Sequence, residues 1–178
     1  DYLREHRIKR VVLSGIDDNV AIFRELAPRS LLERVVGQAS LDMNASPSQV
    51  WERAFEVAQQ AQKQGEQDLL EQVITAAYKG GSGAIGMPDT LVALQEGRVH
   101  QLLLSRDLHI PGWQCSSCHS VTVNESAQCP YCQGDLVPTG DAVNLAVHRA
   151  LDAGVKVSVL DRSERFDSVG GIGAVLRY

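Results

Sequence analysis

Read for the alternation of apolar and polar positions, the chain divides into helices and strands that take turns. Ile8 to Leu13 is a β-branched run ending at Ser14-Gly15, the pattern of a buried strand followed by a turn. Asp17 or Asp18 can cap a helix through Leu26, with Ala21, Ile22 and Leu26 on one face, and Pro28 ends it. A second short helix is predicted around Leu31 to Arg34. From Val35 to Met43 apolar and polar residues roughly alternate, as in a strand with one wet face. Ser46-Pro47 then supplies a capping hydroxyl with proline at the first helical position. The helix it starts runs to about Tyr78 on a stripe of Val50, Ala54, Val57, Ala61, Leu69, Leu70, Val73 and Ala77, with Gly65 as a candidate bend or break.

Lys79-Gly-Gly-Ser-Gly83 has the composition of a flexible linker and falls where the pattern restarts, so a boundary is predicted there, between residues 1–78 and 79–178. A helix near Pro88, with Leu91, Val92 and Leu94 apolar, ends at Gly97, and Val99 to Leu104 reads as a strand. After Ile110 a cysteine-bearing segment, residues 112–138, interrupts the pattern. A helix from Asp141 to Ala153 follows, with Val143, Ala146, Val147, Ala150 and Leu151 at helical spacing and Gly154 as its stop. Val155 to Leu160 and Ile172 to Tyr178 are predicted strands. Helices alternating with strands imply an α/β protein in three layers, with parallel pairing.

The 178 residues are enough for one large domain or two small ones, and 44% hydrophobic with 22% charged residues describes an ordinary globular chain. A net charge of −5 and a pI near 5.5 exclude a bulk electrostatic grip on a phosphate backbone, so any contact with RNA must be local. Arg4, Arg7, Lys9 and Arg10 form the one local basic cluster, which reads first as a solvated surface ahead of a strand. No apolar run approaches the ~20 residues of a membrane span and no secretory signal is visible, so a cytoplasmic location without membrane attachment is expected. The chain opens on Asp1 and closes on Arg177-Tyr178 at the end of a predicted strand, which suggests a piece of a longer protein.

All four cysteines lie in one short segment: Cys115 and Cys118 are separated by two residues, as are Cys129 and Cys132, with ten residues between the pairs. Such spacing lets two tight turns present four thiolates to one tetrahedral ion, and with every position filled by sulfur the predicted metal is a structural zinc. Pro130, Tyr131 and Gly134 suit those turns. Three other chemistries use the same residues. Two disulfides would belong to a secreted chain. Cys115-Ser-Ser-Cys118-His119 also fits a c-type haem attachment, but this leaves the second pair unexplained. An iron–sulfur or redox centre is the third. Under the zinc reading His119 is a solvent-exposed bystander, and replacing Cys115 or Cys132 by serine unfolds this segment while leaving the rest of the domain intact.

The remaining signals have plain structural readings. Gly80-Gly-Ser-Gly83 lacks the lysine and hydroxyl residue of a phosphate-binding loop. Gly170-Gly-Ile-Gly173 precedes a strand rather than a helix and suits a tight entry into it. Asp17 and Asp18 favour a helix N-terminus, and Trp51 reads as a packing residue. His6, His100, His109, His119 and His148 are scattered, and no catalytic constellation is visible.

Two separated stretches carry a resemblance. Met87 to Asp107 (MPDTLVALQEGRVHQLLLSRD) and Ser168 to Tyr178 (SVGGIGAVLRY) resemble the third domain of archaeal and eukaryotic class-1 peptide chain release factors. The matching positions are Asp89, Thr90, Leu91, Ala93, Leu94, Gly97 and Val99, then Gly170, Gly171, Ile172, Gly173, Leu176, Arg177 and Tyr178; Val169 replaces the family's phenylalanine. The first half is similar, more loosely, to the latter part of that family's middle domain. Pelota shares this layout, as do shorter bacterial relatives, to which Val35-Val36-Gly37 and Ala45-Ser46-Pro47 are similar. The resemblance implies a middle-domain remainder over 1–78 and, over 79–178, an α/β/α sandwich like that of kink-turn-binding ribosomal proteins. It implies a zinc-holding insertion at 112–138, projecting from the sandwich, with Cys115, Cys118, Cys129 and Cys132 as ligands. The implied partners are the ribosome and a translational GTPase, with tRNA or rRNA as further candidates. Peptidyl-tRNA hydrolysis in the family depends on a Gly-Gly-Gln loop; that tripeptide is not in this sequence, so no catalytic residue is carried over and release and ribosome rescue both remain open.

Overall fold

A computed structural model describes residues 2–42 and 44–178. The chain divides into two compact units, one reaching to Gln67 and the other running from Asp68 to Tyr178. The division falls inside one continuous helix, so the boundary of compactness lies ahead of Lys79.

In the first unit a short helix α1 (Tyr2–Glu5) precedes strand β1 (Val11–Ser14), helices α2 (Asp17–Leu26) and α3 (Arg29–Leu32), and strand β2 (Val35–Ala39). β1 and β2 pair in parallel. Asp17 and Asp18 sit in the first turn of α2, where carboxylates meet the positive end of the helix. Met43, the predicted end of the second strand, lies outside the described residues. Helix α4 (Pro47–Tyr78) starts on a reciprocal cap: the Gln49 amide donates to Ser46 Oγ at 3.4 Å, and the Ser46 amide donates to Gln49 Oε1 at 2.8 Å. Gly65 does not end it, because a lone glycine in an otherwise helix-favouring stretch costs only about 1 kcal/mol against alanine. Trp51 is a correction: it is exposed and stacks on Phe55, with ring centroids 6.2 Å apart, rather than packing inward.

The second unit is a sandwich of three layers, as the alternation of elements predicts. Its sheet contains β3 (Gly83–Ile85), β4 (Val99–Ser105), β8 (Lys156–Leu160) and β9 (Ile172–Leu176) in the order β3-β9-β4-β8. Leu102 and Leu104 face helices α5 (Met87–Gln95) and α6 (Ala142–Asp152), joined in that layer by Ile172 and Ala174. Leu103 faces the other way, into a cluster of Leu70, Val73 and Ile74 from the end of α4 and Phe166 from the short helix α7 (Glu164–Asp167). Phe166 and Leu103 are fully buried, and each such side chain stabilises the fold by roughly 1.5–3 kcal/mol.

Pairing is only partly parallel. β4 and β8 are parallel, whereas β9 runs antiparallel to both β4 and β3. The link from β8 to β9 contains only the single turn of α7, too short a crossover to return the chain to the starting edge, so β9 begins where β8 ends and runs back. Gly170 and Gly171, with φ of +97° and +65°, make the tight entry into β9. The glycines after Tyr78 also have a fixed task. Gly80 (φ +65°) closes α4 with paired bonds from the Gly80 amide to Ala77 O and from the Gly81 amide to Ala76 O. A Cβ on Gly83 would lie 2.6 Å from Val73 O, so only glycine lets β3 start directly against the backbone of α4.

Candidate metal centre

Between β4 and α6 the chain forms a separate three-stranded antiparallel sheet of β5 (Gly112–Cys115), β6 (Val121–Thr122) and β7 (Leu136–Thr139), in the order β6-β5-β7. Cys115 ends β5, Cys118 lies in the turn to β6, and Cys129 and Cys132 lie in the turns between β6 and β7. The two cysteine turns share one backbone plan. In the first, the His119 amide donates to Cys115 O at 3.1 Å and the Cys115 amide to Ser120 O at 2.9 Å; in the second, the Gln133 amide donates to Cys129 O at 2.9 Å and the Cys129 amide to Gly134 O at 2.9 Å. His119 and Gln133, matching residues, both take left-handed φ values, +57° and +62°. A histidine tolerates that region better than most side chains. The histidine that makes Cys115-Ser-Ser-Cys118-His119 look like a haem attachment thus serves the turn through its backbone, and its side chain is exposed.

The turns bring all four sulfurs within 4.8 Å of one another. Cys115 and Cys132 Sγ are 3.4 Å apart and Cys118 and Cys129 Sγ 3.6 Å apart, so the close pairs run between the turns rather than within them. A tetrahedral ion with metal–sulfur bonds of about 2.3 Å needs sulfurs about 3.8 Å apart, which this donor set meets with small adjustment. Cys115 and Cys129 are buried, Cys118 is half-buried and Cys132 is exposed. Gly134 has no room for a side chain: a Cβ there would lie 2.6 Å from Ser117 Oγ and 3.3 Å from Cys115 Sγ.

Hydrogen bonds already favour thiolates. Cys118 ionises below the usual thiol range, chiefly through the hydroxyl and backbone N–H of Ser120. Burial opposes ionisation of Cys129, but donors from Ser120, Tyr131 and Cys132 outweigh it and hold the group down at about 6. The Gly134 N–H favours the Cys132 thiolate, yet the adjoining Cys118 and Cys115 sulfurs push Cys132 up to about 12. Without a cation Cys132 keeps its proton at neutral pH; with one it can release it.

The segment does not simply project. β5 and β6 pack on α6, and β6 also meets α5; Val121 is buried in the same apolar cluster as Leu102 and Ala146. Sequence reasoning singled out the four cysteines but passed over Ser120, whose 2% exposure and contacts arise only once the turns converge. The other sequence candidates do not assemble. Arg4, Arg7 and Lys9 line a shallow depression with Leu3, Ile8 and Arg34, all in the first unit, and Arg10 donates to Gln62 Oε1 at 3.0 Å. His109 pairs with Asp141, the cap of α6, at 2.9 Å. Among the described residues no helix is long and apolar enough to cross a membrane.

Comparison with known proteins places this architecture. Residues 1–59 match the family model of bacterial archaeo-eukaryotic release factor family 10. No curated protein sequence matches the chain. Among solved structures it is similar to the C-terminal domain of a peptide chain release factor from Methanosarcina mazei, at 24% identity over 76% of this chain and 97% of that one, TM-score 0.50. It is also similar to S. cerevisiae Dom34, described as a translation termination-like factor in RNA quality control that interacts with Hbs1, at 14% identity, 96% and 47% coverage and TM-score 0.55. A third is archaeal Pelota, ribosome-bound with ABCE1, at 14% identity, 99% and 45% coverage and TM-score 0.56. The chain spans about half the length of the Dom34 and Pelota chains. Its fold is therefore the one these release-factor, Dom34 and Pelota structures share, as the Asp-Thr-Leu helix and the Gly-Gly-Ile-Gly terminus anticipate.

Proposed function

We propose that this chain is the ribosome- and GTPase-docking portion of a translation termination or ribosome-rescue factor of the archaeal and eukaryotic type. The observation that carries this reading is the β3-β9-β4-β8 sandwich with a cysteine module inserted between β4 and α6, on the fold shared with release factor and Pelota. Residues 1–78 act as the remainder of a middle domain and 79–178 as the third domain. The work of this portion is recognition, with contacts to ribosomal protein, rRNA or tRNA, in the cytoplasm, and no chemistry of its own. Cys115, Cys118, Cys129 and Cys132 hold a structural zinc; four sulfurs leave no open position for water, so the ion folds the module rather than catalysing. The ribosome and ABCE1 beside archaeal Pelota, and Hbs1 with Dom34, support the choice of partners.

Co-sedimentation of the full-length protein with ribosomes, at low and at physiological salt and with or without a translational GTPase held in its GTP state, tests the reading. Association that persists at physiological salt is expected; a protein left in the supernatant under every condition would end the ribosomal assignment while leaving the fold untouched. Peptidyl-tRNA hydrolysis by the ribosome-bound protein then separates release from rescue.

A further inference from the structure

The two cysteine turns match in backbone but differ at one equivalent position. Five residues after the first cysteine of each turn stands Ser120 in one and Gly134 in the other. Gly134 is excluded from carrying a side chain by Ser117 and the Cys115 sulfur. Ser120 carries a hydroxyl and is almost wholly buried. That hydroxyl lies 3.2 Å from Cys118 Sγ and 3.1 Å from Cys129 Sγ, sulfurs that belong to different turns. A buried polar group needs a partner, and here the partners are the two sulfurs themselves.

We propose that Ser120 is the positioning residue of the metal centre, its hydroxyl seated between Cys118 and Cys129 across the two turns and sharing its one proton between the two sulfurs, which makes them the protected half of the ligand set. This rests on the reading of the four cysteines as metal ligands. A donated O–H draws electron density from a coordinating sulfur, which lowers its reactivity toward electrophiles and holds it in place relative to the ion. Cys115 and Cys132 have no side-chain hydroxyl in that role: Cys115 accepts from the Ser117 amide at 3.4 Å, and Cys132 is exposed. Attack on the loaded centre therefore starts at Cys132, the one exposed ligand on the unbridged side.

The test uses the whole chain loaded with cobalt(II), whose sulfur-to-metal charge-transfer bands report electron density on the ligands. Ser120→Ala leaves the Ser120 carbonyl bond to the Cys115 amide in place. The variant is expected to move the charge-transfer bands to longer wavelength and to weaken metal binding by roughly 10-fold, the low end of what loss of an outer-shell partner causes. Timed alkylation with iodoacetamide, in which each thiolate displaces iodide to form a thioether, should mark Cys132 first in the parent protein and Cys118 alongside it in Ser120→Ala. Ser116→Ala is the control, because Ser116 Oγ donates to Asp135 O and to no sulfur. Unchanged bands and an unchanged order of alkylation in Ser120→Ala overturn the proposal. Where Ser120→Ala holds no cobalt, Ser120→Thr decides: the parental bands regained support the hydroxyl bridge, and their loss overturns it. A parent protein that takes up no cobalt refutes the metal reading itself, a different failure.

Discussion

At the residue scale, the cysteine turns show how few atoms define a four-sulfur cluster and how differently they announce themselves in sequence. Cys132, pushed up to about 12 by adjoining sulfurs against the pull of the Gly134 N–H, keeps its proton at neutral pH when no ion is bound, whereas Cys129, despite its burial, loses its proton near 6. Zinc takes its sulfur ligands as thiolates, so binding expels the Cys132 proton at neutral pH and that of Cys129 as well below about 6. Protons compete with the ion, and affinity must fall as pH falls. Competition with a chromophoric chelator across that range should give a logarithm of affinity that rises with pH, more steeply on the acid side of 6 than above it. A flat profile would contradict this. Cys115, Cys118, Cys129 and Cys132 were legible because chain spacing alone confines two close pairs to two turns. Ser120 was not, because its role depends on the first turn and the second meeting around one hydroxyl. His119, read from the sequence as an exposed bystander, is exposed, and its φ of +57° shows that it serves the turn through its backbone.

At the scale of elements, most were readable, the short β1, α3 and β9 among them; β3 and α7 were not. α4, α5, α6, β4 and β8 begin and end close to where apolar spacing, caps and glycine stops put them. β3 and α7 span three and four residues, too few to show a repeating pattern, and β3 lay hidden in a glycine-rich run because Gly83 passes against α4 without a side chain. The direction of β9 was equally hidden, since it follows from the length of a connection rather than from the strand's own residues. The cysteine module was expected to unfold alone. Val121 in the sandwich core and Gly112, where an added Cβ would come within 2.9 Å of Ala142, tie it to α6. Stripping the metal with a chelator is therefore expected to raise amide hydrogen exchange in β5 and β6 first, by at least about tenfold, and then in the first turns of α6, while β4 and β9 keep their protection. Exchange confined to residues 112–138 would show the module to be independent after all.

At the scale of the whole molecule, charge limits how the proposed contact with a ribosome can be made. A chain with a net charge of −5 gains little from displacing counterions, and its clustered cations are confined to Arg4, Arg7, Lys9 and Arg10. Recognition must then rest on shape and on short-range contacts, the mode expected of a sandwich that docks through a packed face rather than through a basic groove. A protein relying on some 6–10 phosphate contacts loses roughly 10³–10⁵ in affinity between about 50 and 200 mM salt. Binding of this chain to ribosomes is expected to weaken by no more than about tenfold over the same range, the loss of roughly one or two such contacts. Sedimentation titrations at stepped salt measure the slope directly. A steep slope would transfer the burden of binding to the basic cluster, and replacing Arg7 and Lys9 by glutamate would then abolish association, whereas under the shape-based reading the same replacements leave most of it in place.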